Sequence, residues 1–284
     1  MFGKNGRLFS KHWKKFGVCF PNIGNYSGGF TLVELVTVVA VLCVLVGVAI
    51  PVLRDALEAG RRAKCSSNLR QLFVANAAYA AQYGYYVAAA PDLFSGNRTR
   101  WHGQRSGGSG AFDGQGGPLS PFLGGDGCVR QCPGFHPLPP DQAANSFEAS
   151  CGGYGYNDRG VGSRVYLEGY TASAMRKGMP PGAIASPAHT VMFADTGFPQ
   201  PYGQPKYMIE YSFAEAYYFV GNPPEKLYGP AQPSIHFRHG GRAGVAWCDG
   251  HVSFEPRALP AGGADGDFAV GWFGPADNSL FDPY

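Results

Sequence analysis

The chain reads as an α+β protein: one long N-terminal helix, membrane-spanning in its first half and amphipathic in its second, packed on an antiparallel β-sheet head with long Gly/Pro-rich loops. Three observations predict this. Residues 30–52 carry a single charge, Glu34, in an otherwise almost wholly apolar run, and that run reaches the length a bilayer core demands. Beyond Pro51 the apolar residues fall at helical spacing as far as Tyr83. From Tyr85 onward Gly and Pro become dense, and short apolar runs alternate with turn signals.

Residues 1–29 form a basic leader, with Lys4, Arg7, Lys11, Lys14 and Lys15 and no acidic residue. A basic segment ahead of an apolar helix sets its orientation, leader in the cytoplasm and remainder outside. The whole chain has a formal charge of +3, but the leader carries five of its cations, leaving 18 basic against 20 acidic residues. Such a balance offers no footprint for nucleic acid. The segment beyond the apolar helix is long enough for one domain with a sizeable core.

Glu34 is the residue that needs explaining. A carboxylate within a spanning helix costs roughly 2.5–3.5 kcal/mol near the helix centre, so such residues usually mark function. The stretch Gly29-Phe30-Thr31-Leu32-Val33-Glu34, followed by the apolar residues 35–50, resembles the type III signal of type IV prepilins and type II secretion pseudopilins. The resemblance implies cleavage after Gly29 by a prepilin peptidase, N-methylation of the new amino terminus at Phe30, and pairing of Glu34 with the amino terminus of a neighbouring subunit. It further implies a pilin-like fold in the bacterial inner membrane, single-pass, with the head in the periplasm or at the cell surface. The implied partners are other pilin or pseudopilin subunits and an inner-membrane assembly platform. Two other readings remain for the segment: a signal peptide cut after Ala49, since Gly47-Val48-Ala49 has the small-x-small form, or a plain anchor. Both leave Glu34 as a cost without a purpose.

The helix is expected to continue through Pro51 with a kink and to use Leu53, Leu57, Leu69, Leu72, Phe73, Asn76, Tyr79, Ala80 and Tyr83 as its apolar stripe, stopping at Gly84. A helix over residues 30–83 would be about 80 Å long at 1.5 Å per residue; the alternative is two helices parted near Gly60. The domain reading is therefore a leader over 1–29, a helix over 30–83 with 30–52 in the membrane, and a head over 84–284.

Within the head, residues 103–117 read as a mobile Gly/Ser-rich loop without the Gly-Lys-Ser/Thr ending of a phosphate-binding loop. Strands are expected at 164–167, 190–194, 207–209, 217–220, 244–248 and 251–254. Asp249-Gly250 suits a two-residue type I′ turn, which would pair Cys248 with His251, Trp247 with Val252 and Val245 with Phe254 on one core-facing surface. His239, followed after nine residues by Asp249-Gly250, is similar to the "H-X9-DG" segment at the C-terminal end of large pilin-like proteins of planctomycetes and their relatives. Cys65-Ser66-Ser67-Asn68-Leu69-Arg70-Gln71 and Tyr154-Gly155-Tyr156-Asn157 look like recurring pieces of the same proteins.

Among the seven cysteines, Cys19 lies in the leader and Cys43 in the apolar helix. The other five would face an oxidising compartment, so bridges are expected among Cys65, Cys128, Cys132 and Cys151, with Cys248 left over. A zinc site from Cys128, Cys132 and His136 is the alternative. His236, His239, Asp249 and His251 cluster in sequence and read as structural rather than metal-binding or catalytic. Asp265-Gly266-Asp267, flanked by Gly262-Gly263, offers hard oxygen ligands for calcium at Asp265 and Asp267. No other cofactor is expected. Trp101, Tyr85, Tyr86, Tyr217, Tyr218 and Phe219 could form a sugar platform, though aromatics at such spacing are more often core. No nucleophile elbow or paired-carboxylate spacing stands out, and the chain reads as no enzyme. Two functions remain: a filament subunit of a type II secretion pseudopilus or type IV pilus, or a membrane-displayed binding module that uses the signal only for export.

Overall fold

The computed structural model describes residues 29–108, 110–137, 147–200, 207–261 and 268–284. The leader up to Gly28 and the calcium candidates Asp265 and Asp267 lie outside the described residues. Helix α1 runs unbroken over Leu32–Tyr83 with Pro51 inside it. It stops where Gly84 takes φ +82° and its N–H bonds back to Ala80 O at 2.8 Å, the left-handed ending that glycine allows without a Cβ penalty.

Contacts divide the chain into two units, residues up to Pro51 and Val52–Tyr284. In the first, every described residue is exposed, and the helix there is long and apolar enough to cross a membrane by length and composition. In the second, α1 buries Cys65, Asn68, Leu69, Leu72, Ala75, Asn76 and Ala80, a stripe spaced by threes and fours that presents one face to the head. Leu53 and Leu57, expected in that stripe, are exposed; the packed face begins only near Glu58 and Arg62.

The head carries β1 (Tyr154–Tyr156), β2 (Val191–Asp195), β3 (Ile235–His236), β4 (Arg242–Trp247), β5 (Val252–Pro256), β6 (Leu259–Pro260) and β7 (Val270–Trp272). Four of them form an antiparallel sheet in the order β5-β4-β2-β1, and three form a smaller one, β6-β7-β3. Three two-stranded ribbons complete the described strands: Thr99–Arg100 with Gly103–Gln104, Phe198–Gln200 with Tyr207–Ile209, and Tyr218–Val220 with Leu227–Pro230. The helix-facing side of the larger sheet carries Tyr156 and Phe193, stacked at 4.7 Å, in one cluster with Leu69, Leu72 and Ala80. The opposite side packs Val191, Val245 and Trp247 with Phe237, Phe273 and Phe281. Both clusters are apolar burial of the kind that stabilises a domain of this size.

Several expectations change. The strand expected at 164–167 is a helical turn, Val165–Glu168, closed by Gly169 at φ +73°; a four-residue apolar run carries no decisive periodicity. The hairpin is displaced by one residue. Gly244, Val245 and Ala246 oppose Phe254, Ser253 and Val252, and Trp247 N–H bonds to His251 O at 3.1 Å across a three-residue loop, Cys248-Asp249-Gly250. Gly250 at φ +92° supplies the left-handed residue that such loops need. Because side chains alternate with period two, the slip splits the expected face: Ala246, Val252 and Phe254 lie on the helix side, Val245 and Trp247 on the other. Within the loop expected at 103–117, Gln104 and Asp113 exchange both backbone bonds, at 2.9 and 2.6 Å. Trp101 and Tyr86 are core residues, and Trp101 Nε1 donates to Ser212 O at 2.8 Å, which removes them from any sugar platform.

Candidate functional site: the N-terminal signal and a buried Cys-Asp-His centre

At the start of α1, Thr31 and Glu34 form a reciprocal cap. Thr31 donates to Glu34 Oε2 from its backbone N–H (2.9 Å) and from its hydroxyl (2.8 Å), and Glu34 N–H returns to Thr31 Oγ1 at 3.2 Å. This is the Thr-x-x-Glu capping box, satisfying donors that a helix start leaves open. The three-residue spacing of Thr31 and Glu34 is itself a sequence signature of this cap. Phe30 stands directly before the cap and is 81% exposed, and a Cβ on Gly29 would meet no described atom within 4 Å.

The cysteines rearrange the expected site. All six described cysteines are free thiols, so the bridges expected among Cys65, Cys128, Cys132 and Cys151 are not formed; Cys248, expected to stay unpaired, is free with the rest. The zinc alternative is also taken apart. Cys128 is half-buried and turns to Asp126 O, His136 is exposed, and only Cys132 enters the interior. There it meets Cys65 of α1, Asp195 at the end of β2 and His239 ahead of β4, the ligand-type atoms all lying within 4.8 Å of one another. All four residues are fully buried. Cys132 Sγ lies 3.3 Å from His239 Nε2, His239 Nε2 lies 3.5 Å from Asp195 Oδ2, and Cys65 Sγ lies 3.4 and 3.8 Å from the two Asp195 oxygens.

Local structure explains how each group arrives. Cys132 opens a Cys-Pro-Gly-Phe turn, with Phe135 N–H bonding to Cys132 O at 3.0 Å. Asp195 shares the helix-facing side of β2 with Phe193 and accepts Gly244 N–H at 2.7 Å. Gly244 lets the helix come close, since a Cβ there would lie 2.9 Å from Leu69 Cδ1 and 3.3 Å from Cys65 Sγ. His239 begins a turn whose two central residues, Gly240 (φ +63°) and Gly241 (φ +80°), are both left-handed. Helix α1 grips that turn: Arg62 Nη2 donates to His239 O at 3.0 Å and Glu58 Oε1 lies 3.2 Å from His239 Nδ1.

Charges are packed tightly. Burial pushes the Asp195 carboxyl up to about 6 against the pull of Arg238, whose Nη2 is 3.6 Å from Asp195 Oδ1. The hydrogen bond from Cys65 holds Cys132 well below an ordinary thiol, with His239 and Arg238 pulling the same way against burial. Cys65, donating to Cys132 and buried beside Asp195, is pushed far up. The His239 imidazole is raised: burial opposes its charge, but Cys132 and Asp195 outweigh burial.

The other motif residues fall elsewhere. Asp249 Oδ1 accepts His251 N–H at 3.0 Å and lies 2.7 Å from His251 Nδ1, a turn-stabilising pair with His251 stacked on Trp247 at 5.5 Å. His236 packs against Phe135. The four residues 236, 239, 249 and 251 therefore do not make one site; His239 alone joins the buried centre. Sequence reasoning missed Asp195, Glu58 and Arg238. Asp195 was hidden as the polar end of an apolar strand next to Thr196-Gly197, where a carboxylate ordinarily reads as a turn residue.

Residues 24–50 match the prokaryotic N-terminal methylation motif. The chain carries a prepilin-type signal. The signal's helical part coincides with the exposed apolar half of α1, and it points to a pilin-like substrate of a prepilin peptidase. No curated protein and no solved structure matches the chain.

Proposed function

We propose that the chain is a pilin-like or pseudopilin subunit, held by α1 in the inner membrane, cut after Gly29, methylated at Phe30 and assembled into a type II secretion pseudopilus or a type IV pilus. The observation that carries this is the coincidence of the methylation motif over residues 24–50 with the part of α1 whose apolar residues are all exposed. Such a surface has two favourable homes, lipid and the helices of other subunits, and moving between them costs little apolar exposure. Glu34 would then pair with the Phe30 ammonium of a neighbouring subunit. In a water-poor bundle an unpaired charge is expensive, so this pairing favours one register.

The role is structural rather than enzymatic. The H-X9-DG resemblance supports the same reading through geometry. His239 and Gly250 both face α1, the first beside Glu58 and Arg62, the second where a Cβ would meet the Phe73 ring at 2.6 Å. The head over 84–284 would thus be clamped on the second half of the helix and carried on the far side of the membrane. Mass spectrometry of the mature chain decides the processing step. An N-methyl-phenylalanine at Phe30 is expected, and a chain beginning at Ile50 would replace this reading with ordinary export.

A further inference from the structure

We infer that Cys65, Cys132, Asp195 and His239 form a structural zinc site that fastens helix α1 to the head. Four-coordinate zinc takes sulfur at ~2.3 Å and nitrogen or oxygen at ~2.0 Å, so the edges of its tetrahedron span roughly 3.3–3.8 Å. The distances Cys132 Sγ–His239 Nε2 (3.3 Å), His239 Nε2–Asp195 Oδ2 (3.5 Å) and Cys65 Sγ–Asp195 Oδ2 (3.8 Å) fall on those edges. Two thiolates, one imidazole and one carboxylate are a donor set that zinc accepts, and their full burial leaves no open position for a substrate, which marks a structural rather than a catalytic site.

The surroundings are those of a metal centre. Glu58 Oε1 stands 3.2 Å from His239 Nδ1, which keeps the proton on Nδ1 and turns the Nε2 lone pair inward, the carboxylate–histidine arrangement that tunes metal ligands. Tyr154 Oη donates to Cys65 Sγ at 3.6 Å and itself accepts from Asn68 Nδ2 at 3.2 Å; Gly134 N–H points at Cys132. Gly244 N–H and Arg238 hold the Asp195 carboxylate. Charge closes as well. Two thiolates and a carboxylate carry three negative charges, which one divalent cation and the Arg238 guanidinium offset. The bound form has two thiolates, the Asp195 carboxylate and a neutral imidazole. Any proton still on a ligand sulfur or on His239 Nε2 therefore leaves to solvent, while the His239 Nδ1 proton stays on the ring and is donated to Glu58 Oε1.

The donors come from segments far apart in sequence, Cys65 and Asp195 by 130 residues and Cys132 and His239 by 107. One ion would therefore join the helix, the 132 turn, the centre of the sheet and the turn before β4, doing for this head what crossed disulfides do in other exported domains.

The test uses the full chain, extracted from membranes in detergent without a polyhistidine tag. Elemental analysis should give one zinc per chain, and cobalt exchanged into the protein should show thiolate-to-metal charge transfer with the visible bands of a tetrahedral site. Cys132→Ser should lose the metal, Cys128→Ser should keep it, and Glu58→Gln should keep the fold with about 10- to 100-fold weaker zinc affinity. Where Cys132→Ser does not fold, the wild-type chain still decides: a mercurial reagent should release zinc in step with its reaction at two thiols. A metal-free chain overturns the inference, whether peptide maps show a Cys65–Cys132 disulfide or two free thiols. So does iron in place of zinc.

Discussion

Glu34 is asked to do two things, and one pair of substitutions separates them. Within its own chain it closes the capping box with Thr31 through three hydrogen bonds of 2.8–3.2 Å. Between chains it is proposed to neutralise a neighbour's Phe30 ammonium. Glu34→Ala removes both; Glu34→Gln keeps an amide oxygen for the Thr31 donors, since glutamine also completes this box, and removes only the charge. Losing the cap costs about 0.5–2 kcal/mol. Leaving a buried ammonium without its partner costs about 3–5 kcal/mol, roughly a 10²- to 10³·⁵-fold loss of incorporation. Gln and Ala should therefore be almost equally defective when co-expressed with tagged wild-type chain and scored in sheared filaments. Both should still be cut and methylated, and both should insert in the membrane at least as well as wild type, because the helix has lost a charge. If Gln assembles like wild type while Ala does not, Glu34 is a helix cap and the registration role is lost. If both assemble normally, neither role matters to the filament.

Two further outcomes concern the head. Gly250→Ala places a side chain at φ +92° against the Phe73 ring and should lower stability by about 1–3 kcal/mol, read as a lower Tm with the N-terminal processing unchanged. Asp158, buried beside Arg159 and Glu215, is raised to about 7, chiefly by burial and against the pull of Arg159. Between its ordinary value near 4 and about 7 the folded chain therefore holds a proton that the unfolded chain has shed, so its contribution falls as pH rises across that window. Asp158→Asn should raise Tm at pH 8 and change it little at pH 4; an equal change at both would assign the effect to packing.

The long helix and the β-rich head were legible because their signals repeat. A long apolar run, then a stripe at three- and four-residue spacing, leaves few alternatives. The buried positions Leu69, Leu72, Asn76 and Ala80 fall on that spacing, although the same spacing at Leu53 and Leu57 meets no head to pack against. The strands with clear β-branched or aromatic content were also legible, as at β2 and β4. Register was not. Asp-Gly serves both two- and three-residue loops, and nothing local to Asp249-Gly250 says that Cys248 belongs to the turn. The buried centre was the least legible feature. Cys65, Cys132, Asp195 and His239 follow no motif spacing, because they are gathered by tertiary packing from a helix, a turn, a strand end and a second turn. Reading cysteines by compartment alone favoured bridges and passed over the lone carboxylate that the structure places among them.

The packing of α1 also governs the order in which the protein can fold. Its binding stripe is made early in synthesis, but the residues that cover it come late: Asn76 waits 80 residues for Tyr156, and Cys65 waits 130 for Asp195. Contacts of such separation close slowly, because loop entropy is lost before any of them is gained. Until β4 joins β2 and β1, the sheet that covers this stripe is incomplete. During synthesis the stripe therefore stays without its long-range partners until the second half of the chain has emerged.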